Sequence, residues 1–243
     1  MKIDLLAIGV HPDDVELSCS GTLLRHLDRG RSVGLLDLTR GELGTRGTAE
    51  IRDREATDAA RLMGASFRKN LGMADGFFRN DKEHLLPIIQ AIREHRPEIV
   101  LANAVKDRHS DHGRAAQLTL DACFYAGLAK IETFGEDGHP QERWRPRAVY
   151  HYIQDYNLPA DFVVDITDYM ERKIAVVLAF RSQFYLPEAD EFSDQLNTPI
   201  SGKDFLDFLR AKARTYGRSA GFEFAEGFTV ARPPGVQDLF ALS

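Results

Sequence analysis

The stretch Ile8-Gly-Val-His-Pro-Asp-Asp-Val-Glu16 decides the fold that this sequence predicts. The apolar run from Leu5 to Val10 indicates a buried first strand. Directly behind it come His11, Asp13 and Asp14, within four residues of one another. Ligands in open α/β sheets bind just outside the carboxyl ends of the strands. The stretch therefore predicts a first strand of a parallel sheet that ends in a polar site.

Strand and helix patterns alternate along the rest of the chain. Further predicted strands are Ser32–Leu38, Ser66–Leu71, Glu98–Ala102, Ala148–Ile153, Phe162–Ile166 and Gly221–Val230. Predicted helices are Gly21–Gly30, Thr48–Gly64, Lys82–His95, Arg114–Leu128, Tyr169–Arg181 and Lys203–Tyr216. This alternation predicts the α/β class, with a Rossmann-like three-layer α/β/α architecture around a mostly parallel twisted sheet. We place no domain boundary and expect residues 1–243 to form a single domain.

A second polar cluster follows a second predicted strand. The segment Lys106-Asp-Arg-His-Ser-Asp-His-Gly113 comes directly after the strand Glu98–Ala102. A single histidine at a strand end is more often a loop residue than a ligand, and aspartates before a helix are commonly N-caps. Two independent His/Asp clusters at equivalent strand ends favour a metal site over these structural explanations.

The two clusters together contain the parts of a hydrolytic metal centre. A catalytic zinc site typically uses three protein ligands and leaves one position for water. We predict that His11, Asp14 and His112 are the ligands. Asp13 is then the candidate general base, and His109 would face a substrate carbonyl and stabilise the developing oxyanion or protonate the leaving amine.

A glycine- and arginine-rich loop follows the predicted strand Ser32–Leu38. It runs from Thr39 to Gly47 and contains three glycines and two arginines, without the spacing of a phosphate-binding loop. Arg40 and Arg46 in this loop are candidates to contact the substrate. Both, like Arg52 in the following helix, are also explained as solvated charge.

The composition limits the class of protein. The formal net charge of −6 argues against a general nucleic-acid-binding protein. Two cysteines, Cys19 and Cys123, cannot form a disulfide framework and are expected to be buried thiols. We find no signal peptide and no apolar run near the roughly 20 residues that span a bilayer. A cytoplasmic protein that does not act at a membrane is the expectation.

At this point the motifs resemble a known family. His11-Pro-Asp-Asp14, the loop Thr39–Gly47 and Arg108-His-Ser-Asp-His-Gly113 resemble the LmbE/PIG-L family of zinc-dependent N-acetylglucosamine deacetylases. The likeness is greatest to the branch of bacillithiol biosynthesis. It runs essentially end to end and includes the segment Lys173–Phe184 and the ending Tyr216–Phe228.

The resemblance implies one zinc ion per chain on the same three ligands, with the same base and electrostatic partner. It also implies that Arg52 contacts the substrate or acetate. A site of two histidines and one aspartate can also take Fe²⁺ or Co²⁺. Two departures are visible: Ser110 stands where relatives usually have proline, and Phe205 falls near an active-site tyrosine of some relatives. A homo-oligomer, commonly a hexamer, is expected by analogy alone.

The expected reaction is removal of acetyl from N-acetylglucosaminyl-malate, a small-molecule glycoconjugate. Another N-acetylglucosamine conjugate or a chitin-like oligosaccharide stays open as the substrate, because pocket shape depends on loops 72–81 and 182–201. A catalytically inactive sugar-binding protein is the alternative from another class. A receiver-type signalling domain is about half this length, and a Rossmann dehydrogenase would carry a glycine-rich fingerprint after the first strand, which is absent.

Overall fold

A seven-stranded mixed sheet runs through the residues that the computed structural model describes, which are 1–185, 192 and 194–241. The strands are β1 Leu5–Gly9, β2 Val33–Thr39, β3 Phe67–Met73, β4 Ile99–Ala102, β5 Ala148–Tyr152, β6 Phe162–Asp165 and β7 Ala225–Val230. Their order in the sheet is β3-β2-β1-β4-β5-β7-β6. The first five strands are parallel, and β7 runs antiparallel to its neighbours β5 and β6.

Six α-helices cover the two faces of the sheet in the described part of the chain. They are α1 Asp14–Asp28, α2 Ala49–Met63, α3 Lys82–His95, α4 Ser110–Ala126, α5 Met170–Val177 and α6 Phe205–Ser219. One apolar core lies between the sheet and α1, α2, α5 and α6, and a second lies between the sheet and α3 and α4. The α/β class and the three-layer architecture are therefore confirmed.

The sheet order reverses between β1 and β4, which lie side by side. Leu5 pairs in parallel register with Val33 on β2 and with Ile99 on β4. In doubly wound sheets, ligands bind at such a switch point. The carbonyl of Ile8 accepts a hydrogen bond of 2.8 Å from the Tyr152 hydroxyl, which ties β5 to the end of β1. Both predicted polar clusters follow strands that meet at this crevice.

Most element boundaries agree with the sequence within a few residues, but two helices begin earlier than predicted. Helix α1 begins at Asp14 instead of Gly21, and α4 begins at Ser110 instead of Arg114. Both polar clusters thus lie partly in the first turn of a helix. None of the helices among the described residues is long and apolar enough to cross a membrane.

Both cysteines and one histidine at the end of α3 are buried in the fold. Both cysteines are buried free thiols, as predicted. His95 at the end of α3 is buried and stacks on Phe67 of β3 with ring centroids 4.0 Å apart. The loop-like segment 182–201 lies partly outside the described residues.

Candidate active site at the switch point

The Asp14 carboxylate is fixed by the end of β1 and by two amide side chains. Its Oδ2 accepts hydrogen bonds from the backbone N–H groups of Val10 at 3.0 Å and His11 at 2.9 Å. The Asn103 amide donates to the same oxygen at 2.9 Å, and the Gln154 amide donates to Oδ1 at 3.0 Å. Because its donors come from three chain segments, the carboxylate is held rigidly in its ionised form.

His112 is the third residue of α4 and lies between two carboxylates. Its Nδ1 is 2.5 Å from Asp107 Oδ2, and its Nε2 is 3.2 Å from Asp14 Oδ1. Burial alone would lower the pKa of His112, but these two carboxylates outweigh it and raise the pKa to about 9. Conversely, although burial would raise it, the charge on His112 contributes to holding the pKa of Asp14 well below its usual range.

His11 repeats this arrangement with its two ring nitrogens exchanged. Its Nε2 lies 3.0 Å from Asp75 Oδ1 and 3.8 Å from Asp111 Oδ2, while its Nδ1 lies 3.7 Å from Asp14 Oδ2. Burial would lower the pKa of His11, but the surrounding carboxylates raise it well above its usual value. Each of these two imidazoles thus has a carboxylate on one nitrogen and turns its other nitrogen toward Asp14.

His109 lies beside this group but is held differently. Its ring centroid is 4.7 Å from that of His11 and 5.2 Å from that of His112. Its Nδ1 accepts a hydrogen bond of 3.3 Å from the backbone N–H of Asp111 at the start of α4. Burial, together with the charges on His11 and His112, lowers the pKa of His109. A neutral imidazole that accepts at Nδ1 carries its proton on Nε2 and is a donor there.

Two groups of side chains in the described residues have ligand atoms close enough for one metal ion. One is His11, His109 and His112, and the other is His11, Asp75 and Asp111, with the atoms of each group within 4.8 Å of one another. The predicted set of His11, Asp14 and His112 overlaps the first group, and the 3.2 Å and 3.7 Å distances place Asp14 against both imidazoles.

Asp13 precedes α1 in a strained backbone conformation, with φ of 127°. Burial raises the pKa of its carboxyl to about 7, with the nearby Arg52 guanidinium acting in the opposite direction. Arg52 Nη2 donates to Asp13 Oδ2 at 3.2 Å and to Gln183 Oε1 at 2.8 Å. A pKa near neutrality suits a general base.

Arg52 reaches Asp13 because the loop after β2 makes room for it. Its Nη1 donates to the Gly41 carbonyl at 3.2 Å. Gly41 has a positive φ of 64°, and a Cβ built there would lie 1.8 Å from Arg52 Nη1. Only glycine therefore allows both this turn and this approach.

The two other predicted arginines have structural partners away from the crevice. Arg40 pairs at the surface with Asp53 and Glu50. Arg46 is buried, and its Nε donates to the Ser182 carbonyl at 3.0 Å. Neither is among the described residues that line the cavity at the switch point, whereas Arg52 is. Substrate contact by Arg40 and Arg46 stays a prediction.

The cavity has a volume of about 340 Å³ and two chemically different parts. The polar part is lined by most of the site residues described above, namely His11, Asp13, Asp14, Arg52, Asp75, Asp107, His109, His112, Gln154 and Gln183. Apolar side chains line the other part, and they are Leu17, Ile153, Ile200, Phe205, Phe208, Leu209, Ala213 and Tyr216. Phe205, the position near the family tyrosine, thus faces the cavity without a hydroxyl group.

Several polar residues of the site were not predicted from the sequence, although their positions in the sequence carry a signal. Asp75 follows β3, Asn103 follows β4 and Gln154 follows β5, each within two residues of the strand end. The rule that ligands bind at the carboxyl ends of strands could have marked all three. Gln183 lies beyond α5 and carries no such signal.

The fold and the site define an α/β protein with a His/Asp cluster that could hold a metal ion at the switch point of its sheet. Comparison with known proteins identifies the family. The family model PIG-L, described as GlcNAc-PI de-N-acetylase, matches residues 6–123. Diacetylchitobiose deacetylase of Thermococcus kodakarensis is 31% identical over 246 residues, which cover 96% of this chain and 84% of that protein. The chain belongs to the PIG-L/LmbE family of deacetylases.

Two solved structures agree with this assignment. The conserved protein TT1542 from Thermus thermophilus is 36% identical with a TM-score of 0.83, and the match covers 96% of this chain and 97% of that one. N,N'-diacetylchitobiose deacetylase from Pyrococcus horikoshii is 26% identical with a TM-score of 0.76, over 93% of this chain and 83% of that one. Family and relatives support deacetylation of N-acetylglucosamine-type substrates.

Proposed function

We propose that this protein hydrolyses the N-acetyl amide of an N-acetylglucosamine conjugate with one metal ion held by His11, Asp14 and His112. One observation carries the ligand assignment. The two imidazoles each bind a carboxylate through one nitrogen and present the other to Asp14. Histidine ligands in metalloproteins characteristically donate their second ring nitrogen to a carboxylate in this way.

The charges of the site fit a dication. Four carboxylates, of Asp14, Asp75, Asp107 and Asp111, surround His11 and His112 and raise the pKa values of these two imidazoles. Such a field favours positive charge, which a divalent metal ion supplies in place of protons. His109 fits less well as a ligand, because the proton on its Nε2 would have to leave. Bound zinc supplies polarisation of the amide carbonyl and a lowered pKa for water.

The protein's own groups then perform the proton transfers. Asp13 accepts a proton from water as the water oxygen adds to the amide carbonyl carbon. His109 donates a hydrogen bond from Nε2 to the developing oxyanion. When the C–N bond breaks, the proton that Asp13 accepted passes to the amine nitrogen, and the products are acetate and a free amine. Arg52 positions the Asp13 carboxylate and lines the cavity on the substrate side.

The substrate that we propose first is N-acetylglucosaminyl-malate. The likeness of the motifs to the bacillithiol branch supports it, and so does the placement of Arg108 and Lys212 in the cavity lining. Arg108 is 43% exposed, so its guanidinium is accessible to a malate carboxylate. Diacetylchitobiose is the second candidate, because a relative of that activity matches almost the whole chain. The single domain, the cytoplasmic location and the homo-oligomer stay predictions.

Amine release by the zinc-loaded protein tests this proposal. N-acetylglucosaminyl-malate, diacetylchitobiose and free N-acetylglucosamine are compared in parallel, and we expect the highest kcat/KM on the malate conjugate. A preference for diacetylchitobiose would keep the chemistry and replace the substrate. No amine from any acetylated sugar, with stoichiometric zinc bound, would favour the inactive sugar-binding protein.

A further inference from the structure

The apolar lining of the cavity is more extensive than an acetyl group requires. Leu17 and Ser18 of α1 line it one turn beyond Asp14. Its inner end is closed by Glu226, which accepts hydrogen bonds from the α1 backbone N–H groups of Gly21 at 3.0 Å and Thr22 at 2.7 Å. Asp14 and Glu226 both line the cavity, and Glu226 contacts α1 at Gly21 and Thr22. The cavity therefore extends along α1 from Asp14 toward that turn.

The walls of this part favour an apolar occupant. Phe205, Leu209, Ala213 and Tyr216 present one face of α6 to it, and all four side chains are buried. The two charged groups at its inner end are paired with each other: Lys173 Nζ donates to Glu226 at 2.6 Å. A sugar ring with its hydroxyl groups would find few partners along these walls, whereas an alkyl chain would lose water contact without losing hydrogen bonds.

The two ends of the cavity differ in accessibility, which decides the direction in which a substrate lies. The inner end is formed by buried residues, while Leu43 and Phe208 in the outer lining are 63% and 40% exposed. The sugar with its aglycone is the larger side of the scissile amide and must enter and leave through the open end. The acyl group, on the other side of the carbonyl carbon, then points inward.

We infer that the enzyme also hydrolyses N-acyl glucosamine derivatives with linear acyl chains longer than acetyl, and that the apolar face of α6 binds the chain. This inference rests on the proposed function, because the same site carries out the reaction. Water adds to the acyl carbon and the C–N bond breaks. The carboxylic acid leaves as its anion, and the amine takes the proton.

An acyl-chain series tests the inference with the zinc-loaded full-length protein. Amine release is measured from glucosamine carrying N-acetyl, N-butyryl or N-hexanoyl groups. Complete burial of a methylene raises affinity by at most about fourfold, so we expect kcat/KM on the hexanoyl compound to equal or exceed that on the acetyl compound. A hexanoyl value lower by about a hundredfold would overturn the inference, because a closed acetyl pocket discriminates to that degree.

Two variants of α6 test where the acyl chain binds. Ala213→Phe and Leu209→Trp each fill the apolar part, and we expect the ratio of kcat/KM on the hexanoyl compound to kcat/KM on the acetyl compound to fall at least about tenfold. Ala211→Phe is the matched control, because Ala211 lies on the exposed face of the same helix. Equal losses on both substrates would contradict an acyl-binding role. The octyl glycoside of N-acetylglucosamine is a further arm, since a gain from its alkyl group alone would place the apolar group on the aglycone.

Binding without turnover separates failure of this inference from failure of the proposed function. Acetate, butyrate and hexanoate are titrated into the protein by calorimetry. We expect affinity to rise with chain length in the wild type and in Ala211→Phe, and to stay flat in Ala213→Phe. If no acetylated sugar yields amine but this trend holds, the proposed function fails and the acyl-binding part of the cavity stands. If affinity does not rise with chain length, the inference is wrong.

Discussion

Arg52 and Asp13 form a buried ion pair in which Arg52 Nη2 lies 3.2 Å from Asp13 Oδ2. The guanidinium opposes the effect of burial, which raises the pKa of Asp13 to about 7. The pair therefore sets the fraction of Asp13 that is ionised near neutral pH.

Replacing Arg52 should shift the pH dependence of turnover. In Arg52→Gln the pKa of Asp13 rises further, so that less of the base is ionised at pH 7 and more alkaline solution is needed to restore it. We expect the acid limb of the kcat profile to move to higher pH, with activity partly recovered above pH 8. Arg61→Gln, on the exposed side of the same helix, is the control. An unshifted profile would remove Arg52 from this role.

Asp13→Asn should separate catalysis from metal binding. The change removes the base but no predicted ligand, and general-base catalysis typically contributes about 10²- to 10⁴-fold. We expect a loss in kcat of that size with the zinc content unchanged. Metal analysis and steady-state kinetics on one preparation measure both, and a near-normal kcat would refute the base assignment.

The ligand set can be decided by metal content. We expect His112→Ala and Asp14→Ala to lose most of the bound zinc, because both residues belong to the proposed ligand set. His109→Ala should keep zinc and lose about 10²- to 10³-fold in kcat, as expected for removal of one oxyanion donor. If His109→Ala emptied the site while Asp14→Ala left it filled, the three-imidazole set would be correct.

The carboxylates behind the imidazoles should tune metal affinity. Asp107 accepts from His112, and Asp75 accepts from His11. Loss of such a partner typically costs about 10- to 100-fold in metal affinity, and we expect that range for Asp107→Asn and Asp75→Asn in competition with a chelator. Asp121→Asn, at a half-buried position of α4 where the side chain accepts from Asn80 and Gln117, should leave affinity unchanged.

His151 should contribute to acid sensitivity of the fold. It is buried in β5, where its Nδ1 lies 2.8 Å from the Asn103 carbonyl oxygen. Burial lowers the pKa of His151 below its usual value. The unfolded chain therefore binds a proton that the folded chain does not, and stability falls as the pH decreases below about 6.5.

The slope attributable to this one proton is at most about 1.4 kcal/mol per pH unit. In His151→Gln the free energy of unfolding, measured by urea titration between pH 5.5 and 8, should depend less on pH than in the wild type. His139→Gln, in an exposed loop, should keep the wild-type slope. Identical slopes in all three proteins would contradict the prediction.

The sequence predicted the layers and the place of the site, because both depend on local signals. His11 follows one predicted strand, and the cluster at His109 and His112 follows another. The apolar pattern of the sequence identifies both strands on its own. The early start of α1 was missed although Val15, Cys19 and Leu23 lie on one buried face, since serines between them hide the helical spacing.

The partners within the site depend on tertiary structure and could not be predicted in the same way. Asp75 and His11 are 64 residues apart in the chain, and Arg52 and Gln183 are 131 apart. No periodicity links such positions. The pairing of Arg40 was not predictable either: it lies in the loop after β2, and its side chain pairs with Asp53 and Glu50 of the following helix.

The backbone at Asp13 has a φ of 127°, so keeping a carboxylate at this position lowers the stability of the fold. A side chain in this conformation costs on the order of 1–3 kcal/mol, and glycine would adopt it without that penalty. Glycine at position 13 would relieve this strain and would also remove the base that we propose, so stability and turnover oppose each other at this residue. A relative that no longer needed the base would gain stability from glycine here, and we expect the residue at this position to distinguish active members of the family from inactive ones.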